Sequence, residues 1–317
     1  MAEIQAEDLT GKVSVDARLS VGDRHEGGAP PANVAERAAD GTGSAATLRG
    51  APREGYRVLA YRGTTNLGDA VQTAAISRLL GGPLTGVYRR ALGGASVAAG
   101  GRRFVVNGWL GDAPPAADSG GCLFAGVFLG RRVPEQLNWL RTSSAPVGAR
   151  DPVTQALLRC AGVKCELVGC ATLTLGRYDG PRAGRYSVDL AVPGTTSLSN
   201  TLSKDVSWAA QWDMALVRLD QLRTAEIVYT SRLHVALPCL AFGTPVVVPR
   251  HVRGAVFQPA RLSLLDALGF AFDRPCTLDV EPWATRYVAF LSTHLGHPVR
   301  PGPFRFPRAL DVAAPRE

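Results

Sequence analysis

The chain has 317 residues, of which 46% are hydrophobic, and it carries a formal net charge of +8. This length allows two domains of ordinary size, and this apolar content allows a well-buried core. No run approaches the ~20 consecutive apolar residues that span a bilayer, and the first residues are acidic, unlike a signal peptide. We therefore expect a soluble, cytoplasmic protein without an integral membrane segment.

Arginine supplies nearly all of the positive charge, since the only lysines are Lys12, Lys164 and Lys204. One interpretation is a general preference for arginine over lysine in this protein. The other is an anionic ligand, because a guanidinium group can bind phosphate or carboxylate through paired hydrogen bonds. No basic run alternates with aromatic residues as it would on a nucleic-acid-binding surface, so no nucleic acid partner is expected.

Residues 1–54 are rich in Gly, Ala, Asp and Glu and show no sustained hydrophobic period. Such a segment cannot bury enough apolar surface to offset the entropy that it loses on ordering. We therefore predict a flexible leader over residues 1–54 and ordered structure from Tyr56 onward.

From residue 56 the chain alternates short apolar runs with helix-like segments in two series. The first series predicts strands at "YRVLAYRG", "RRFVVNGW", "GGCLFAGVFLG" and "APVGAR", and helices at "GDAVQTAAISRLLGG", "VPEQLNWLRT" and "PVTQALLRCAG". The second series predicts strands at "CELVGCATLTL", "YSVDLAVPG", "EIVYTS" and "TPVVVPR", and helices at "WDMALVRLDQLRTA", "RLHVALPCLAFG", "QPARLSLLDALGF" and "WATRYVAFLSTHLG".

Near-continuous apolar strands that alternate with helices are typical of parallel sheets covered on both faces. Two such series predict an α/β protein with two Rossmann-like halves and a cleft between them. We expect an N-terminal domain over residues 55–170 and a C-terminal domain over residues 171–317 that includes the closing helices. Ligands of such sheets bind beyond the carboxyl ends of the strands, where the site candidates are therefore sought.

The six cysteines, at positions 122, 160, 165, 170, 239 and 276, include no CxxC pair. Cys165 and Cys170 lie in one predicted strand at an odd offset, which would place them on opposite faces. We therefore expect buried free thiols and no metal site.

The first strand–helix turn, "RGTTNLGDAVQT", contains Asn66, Gly68 and Asp69. Free backbone amides at this turn would suit a ligand oxyanion, and Asp69 is placed as an N-cap or as a base. An ordinary capped turn is the alternative, since the segment matches neither G-x-G-x-x-G nor a P-loop.

Two further strand ends carry polar or aromatic side chains. "VNGW" places Asn107 and Trp109 at the end of one strand, and "GARD" places Arg150 and Asp151 after another. Asp151 is an ordinary helix cap before Pro152, whereas the long side chain of Arg150 would project into the predicted cleft. A structural role is the alternative for each of these residues.

The segment "TSRLHVALPCLAFGTPVVVPR" begins a helix with a basic pair. Ser231 is the expected cap, and Arg232 and His234 then occupy the first turn. The helix dipole destabilises cations at this end of a helix, whereas a nearby anion would stabilise them. An arginine paired with a local carboxylate is the structural alternative. Because breaks of a local rule cluster at functional sites, Arg232 and His234 are the strongest site candidates.

These segments resemble the polysaccharide pyruvyl transferase family. The resemblance lies in "NLGDAVQT" (66–73), "GARD" (148–151), the long segment 222–248 that contains "SRLH" and "AFGTPVV", and "ARLSLLDALGF" (260–270). Together they cover the chain from about 56 to 270, and the segment 222–248 is the most specific.

The resemblance implies two Rossmann-like halves in a glycosyltransferase-B-like arrangement, and a transferase that uses phosphoenolpyruvate as donor and no other cofactor. Arg150 and Arg232 would hold the phosphate and carboxylate of the donor, His234 would be the acid, and Asp69 would lie at the cleft as a second catalytic candidate. A sugar or glycoconjugate would be the acceptor, and Asn66, Gly68, Asn107 and Ser231 are the remaining substrate-binding candidates.

Other functions fit the same residues. A nucleotide-sugar glycosyltransferase would use the basic groups on a diphosphate, and a natural-product enzyme could transfer another group on the same fold. A non-catalytic binding subunit is a third alternative, disfavoured by the presence together of Asp69, Arg150, Arg232 and His234. The stretch between Trp109 and Arg150 is short for the family, which leaves the acceptor and the regiochemistry open.

Overall fold

The computed structural model describes residues 55–81, 84–89, 92, 103–111, 121–130, 133–250, 258–307 and 310–312. The predicted leader lies outside the described residues. Within the described part of the chain, no helix has both the length and the apolar character needed to cross a membrane.

The described residues contain eleven strands: β1 (Tyr56–Ala60), β2 (Leu84–Tyr88), β3 (Arg103–Trp109), β4 (Cys122–Phe128), β5 (Val147–Ala149), β6 (Cys165–Leu167), β7 (Arg185–Val188), β8 (Thr196–Leu198), β9 (Ile227–Thr230), β10 (Val246–Val247) and β11 (Asp311–Val312). They also contain seven α-helices: α1 (Leu67–Leu80), α2 (Val133–Arg141), α3 (Pro152–Cys160), α4 (Trp208–Thr224), α5 (Leu233–Phe242), α6 (Gln258–Ala267) and α7 (Glu281–Leu295).

The strands form two parallel sheets. The first has seven strands in the order β11-β2-β1-β3-β4-β5-β6, and the second has four in the order β10-β9-β7-β8. Every strand pair in both sheets is parallel. The predicted α/β class with two parallel, Rossmann-like sheets is therefore confirmed, while the glycosyltransferase-B-like arrangement remains a prediction.

The end of the chain returns to the first sheet. Strand β11 pairs with β2, and α7 packs against β4, where the hydroxyl of Tyr287 donates a hydrogen bond to the carbonyl of Ala125 at 2.9 Å. The domain boundary between residues 170 and 171 stays a prediction.

Three strands, β2, β8 and β11, were not predicted, and one predicted strand was wrong. "CELVGCATLTL" is strand only over β6, because Gly169 has a φ of +85° and residues Ala171–Thr174 form a turn of 3-10 helix. Cys165 and Cys170 therefore do not share a strand. The prediction that all six thiols are buried also fails at Cys160, which is exposed, and at Cys165, which is half-buried.

Helix α1 packs against strands of the first sheet and against two helices from the second half of the chain. It is buried on nearly all sides because it packs against β1 and β3 and also against α4 and α5. The turn before it is tied to the segment after β8: Leu67 N–H donates to the carbonyl of Asn200 at 2.8 Å, and Leu202 N–H donates to the carbonyl of Thr65 at 2.9 Å. These two hydrogen bonds link the turn between β1 and α1 to the segment that follows β8 of the second sheet.

Candidate functional site

A cavity of about 420 Å³ lies at the carboxyl ends of β3, β4 and β5, and it is closed on the other side by the β1–α1 turn and the start of α5. Its polar end is formed by Asn66, Asp69, Arg150, Thr154, Arg232 and His234. Its apolar wall is formed by Trp109, Phe128, Leu129, Val133, Val153 and Leu157, with Gly130 and Leu233 completing the lining. We call this space the cleft cavity.

The cleft cavity brings together most of the predicted site residues from segments far apart in sequence. Asp69, Arg150, Arg232 and His234 all line it, as does Asn66. This is the position expected for ligands of parallel α/β sheets. A larger cavity of about 560 Å³, between α5 and α7, contains none of these residues.

The amides of the β1–α1 turn already have partners within the chain, contrary to the prediction that they are free for a ligand oxyanion. Leu67 N–H bonds to Asn200, Gly68 N–H donates to Oδ1 of Asn66 at 3.2 Å, and Asp69 N–H donates to the carbonyl of Asn66 at 3.2 Å. Asn66 is thus the N-cap of α1, and Asp69 lies inside the first turn instead of capping it.

The Asp69 carboxyl is almost fully buried, at 2% exposure, and two side chains hold it. The hydroxyl of Thr64 donates to Oδ2 at 2.7 Å, and the amide of Asn66 donates to Oδ1 at 3.2 Å. Burial raises the pKa of Asp69 above its ordinary value of 3.8, although the charge of Arg89 and the two hydrogen bonds act to lower it. Such a carboxyl is better matched to proton transfer near neutral pH than an exposed one.

Arg150 is a buried cation with an unused donor. It is 3% exposed, its Nε donates to Oδ2 of Asp151 at 3.1 Å, and its guanidinium carbon lies 4.0 Å from the ring centroid of Phe128. Its Nη2 is buried and makes no hydrogen bond with the described part of the chain. Asp151 caps α3 as predicted, accepting from Thr154 N–H at 2.9 Å.

Arg232 lines the cleft cavity while it also pairs with a carboxylate. Its Nε donates to Oδ2 of Asp189 at 2.6 Å, and its Nη2 donates to the hydroxyl of Thr201 at 3.1 Å. The structural alternative, an arginine paired with a carboxylate, is therefore present, although Asp189 is distant in sequence. Nη1 makes no hydrogen bond with the described residues. The Asp189 carboxylate is itself fixed by the backbone, because its Oδ1 accepts a hydrogen bond from Asn200 N–H at 3.1 Å.

Ser231 is not the cap of α5, contrary to the prediction. Arg232 occupies the N-cap position, with φ −97° and ψ 121°, and no side chain caps this end of the helix. The hydroxyl of Thr230 instead accepts from Arg232 N–H at 3.0 Å, which turns the chain one residue earlier.

His234 lies in the first turn of α5, as predicted, at a local kink with φ −83° and ψ 20°. It is 9% exposed and lines the cleft cavity. Gly68 lies directly against it, since a Cβ atom built on Gly68 would be 2.9 Å from the Cβ of His234. Gly68 therefore positions His234 and is not itself part of the cavity lining.

Asn107 and Ser231 are not among the residues that line the cleft cavity. Asn107 is buried, and its amide donates to the carbonyl of Gln72 at 3.2 Å. Its neighbour Trp109 does line the cavity.

Arg89 is a charged residue that the sequence interpretation missed. Its guanidinium carbon lies 4.8 Å from the ring centroid of Trp109 and 5.2 Å from that of Tyr61, and its charge acts on Asp69. It follows β2, so that recognition of "LTGVY" as a strand would have placed Arg89 at a carboxyl end.

No protein-family profile matches the chain, and no curated protein matches it. Among solved structures, a functionally uncharacterised protein from Klebsiella pneumoniae subsp. pneumoniae NTUH-K2044 is similar, with a TM-score of 0.44 and 14% sequence identity. The match covers 71% of this chain and 93% of that one. A likeness of this degree says nothing about activity.

Proposed function

We propose that this protein transfers an enolpyruvyl group from phosphoenolpyruvate to two hydroxyls of a sugar-containing acceptor. The product is a pyruvate ketal, and inorganic phosphate is released. The proposal is supported by the residues that resemble polysaccharide pyruvyl transferases and by the side chains gathered at the polar end of the cleft cavity.

The observation that carries the proposal is the unused donor of Arg150. A buried guanidinium group that keeps one N–H without an acceptor is costly, because desolvation of the group is not compensated. Nη2 of Arg150 is such a donor, and Arg150 lines a cavity large enough for a small ligand. A phosphate or carboxylate oxygen would satisfy it with a charge-assisted hydrogen bond.

Phosphoenolpyruvate carries two anionic groups, and the polar end offers a second arginine for the second one. Arg232 keeps Nη1 for a ligand while Asp189 and Thr201 hold its other nitrogens. An arginine fixed in this way keeps its orientation when a ligand leaves, which reduces the entropy lost on binding. Arg150 and Arg232 are then the two donor-binding residues.

The chemistry begins with a proton transferred from His234 to the methylene carbon of the donor. The carbon–carbon double bond becomes a methyl group, and one acceptor hydroxyl attacks the neighbouring carbon, which has become electron-deficient. The carbon–oxygen bond to phosphate then breaks, and the second hydroxyl closes the ketal. One of the two hydroxyl protons restores His234 and the other leaves with phosphate, with Asp69 placed to accept either of them.

The test is phosphate release from phosphoenolpyruvate in the presence of a panel of sugars and glycosides with vicinal or 1,3-related hydroxyl pairs. We expect acceptor-dependent phosphate release and a new methyl singlet in the proton NMR spectrum of the product. Parallel reactions with nucleotide sugars measure release of nucleoside diphosphate. Diphosphate release without any phosphoenolpyruvate consumption would replace the proposal with glycosyl transfer.

A further inference from the structure

One wall of the cleft cavity is apolar and partly exposed to solvent. The described residues include four exposed large hydrophobic side chains, and two of them, Val153 and Leu157, belong to this wall, at 38% and 42% exposure. The other two, Met214 and Val217 of α4, lie outside the cavity lining. Two of the four exposed large hydrophobic side chains therefore line the cleft cavity.

The position of Val153 and Leu157 follows from the start of α3. Asp151 caps this helix beside Arg150, and residues four apart lie on one helix face. The face that begins next to the buried arginine therefore presents two branched apolar side chains to the cavity. Single exposed apolar residues need no explanation, whereas apolar residues grouped beside a cavity are typical of a binding surface.

The apolar wall meets the polar end at Phe128, since the guanidinium group of Arg150 stacks on the ring of Phe128. An anionic donor bound to Arg150 and Arg232 would fill the polar end and leave the apolar wall uncovered. The volume of about 420 Å³ falls within the range of small-molecule sites, which leaves room for part of an acceptor beside the donor.

We propose that the acceptor carries an apolar group, an aromatic ring or a short alkyl chain, beside its reacting hydroxyls, and that this group packs on Trp109, Val153 and Leu157. This rests on the proposed function for the identity of the donor and of the reacting hydroxyls. The acceptor class is then a small aryl or alkyl glycoside and not a fully hydrated polysaccharide chain, which would leave this wall without an apolar partner.

The experiment compares phenyl, octyl and methyl glycosides of the same sugars, each below its micelle concentration. Binding is measured by saturation-transfer NMR titration in the presence of phosphoenolpyruvate, and transfer is measured separately by phosphate release. Phenyl and octyl glycosides should bind at least about tenfold more tightly than methyl glycosides, because they bury more apolar area. Equal binding of the three classes, or no binding of phenyl and octyl glycosides, overturns the inference.

Matched surface variants locate the effect. Val153→Ser and Leu157→Ser should each reduce the ratio of phenyl to methyl affinity by about threefold or more. Met214→Ser and Val217→Ser change positions of α4 that lie outside the cavity and are 40% and 59% exposed, and they should leave that ratio unchanged. A ratio that is lost in all four variants, or in none of the four, contradicts the assignment to this wall.

The two proposals can fail separately. Preferential binding of phenyl glycosides without phosphate release would support the apolar acceptor group and contradict enolpyruvyl transfer. Transfer to methyl glycosides as efficient as transfer to phenyl glycosides would do the opposite. If Leu157→Ser changes the oligomeric state in light scattering and leaves the affinity ratio unchanged, the apolar wall is a contact between copies of this chain and the inference is wrong.

Discussion

Gly68 and His234 meet so closely that a Cβ atom added to Gly68 would lie 2.9 Å from the Cβ of His234 and 3.3 Å from its Nδ1. Gly68 lies in the first turn of α1, which follows β1 of the first sheet, and His234 lies in the first turn of α5, which follows β9 of the second sheet. The place of the His234 ring in the cleft cavity is therefore set by the absence of a side chain at residue 68.

Gly68→Ala should displace His234 and lower phosphate release by about tenfold to a hundredfold, because a shift near 1 Å at a reacting group costs that much. Alanine favours the helix by about 1 kcal/mol, so helix formation itself should not suffer. Gly302→Ala, at a position with open space around it, is the control and should behave as wild type in phosphate release and thermal unfolding. Wild-type turnover in Gly68→Ala would show that the position of His234 is not critical.

Arg150→Lys should weaken phosphoenolpyruvate binding by about tenfold or more, measured by titration calorimetry. Lysine keeps the charge but loses the planar fork and the stacking on Phe128 at 4.0 Å. Arg177→Lys is the control, since its ion pair with Asp179 is on the surface and its side chain is 75% exposed. Unchanged donor affinity in Arg150→Lys would mean that the unused donor is not a ligand contact.

Much of the fold could be predicted because the signals are local. Apolar runs and caps predicted α1, α3 and α4 to within a few residues, and the alternation of runs predicted two parallel sheets. Strand β2 was missed because "LTGVY" is short and contains a glycine. The end of β6 was missed because the left-handed conformation of Gly169 is invisible in an apolar run.

The site could be predicted only where a strand end was recognised. Arg150 and His234 follow strands that the pattern showed, and both reach the cleft cavity. The partners of these residues could not be predicted, because pairing between distant segments leaves no local pattern. Asp189, which holds Arg232 from 43 positions away, is one example.

His234→Gln should leave phosphoenolpyruvate affinity within a small factor and cut phosphate release by roughly 10²-fold or more, because glutamine keeps hydrogen-bonding capacity but cannot deliver a proton efficiently. In deuterium oxide, the methyl group of the wild-type product should contain solvent deuterium, measured by mass spectrometry. Full turnover of His234→Gln would move the acid to another residue, with Asp69 next. Absence of deuterium from the methyl group would exclude proton transfer to carbon.

The buried carboxyl of Asp69 predicts a stability change that depends on pH. Burial raises its pKa in the folded state above the ordinary value of 3.8, so the folded form disfavours the ionised carboxylate. The stability contribution of such a group is fully present below the ordinary pKa and is lost as the pH rises through the folded-state pKa. Asparagine cannot ionise, so Asp69→Asn avoids this loss.

The free energy of unfolding of Asp69→Asn, minus that of wild type, should therefore increase as the pH is raised from about 4 to 8, measured by denaturant titration at each pH. At pH 4, where this loss has only begun, the difference mainly reports the altered hydrogen bonds to Thr64 and Asn66. Asp213→Asn removes an exposed carboxylate of α4 and should show no comparable trend.

The same Asp69→Asn variant should lose phosphate release if Asp69 accepts a hydroxyl proton. A variant that gained stability with pH and kept full turnover would assign Asp69 to positioning Asn66, with the proton accepted elsewhere.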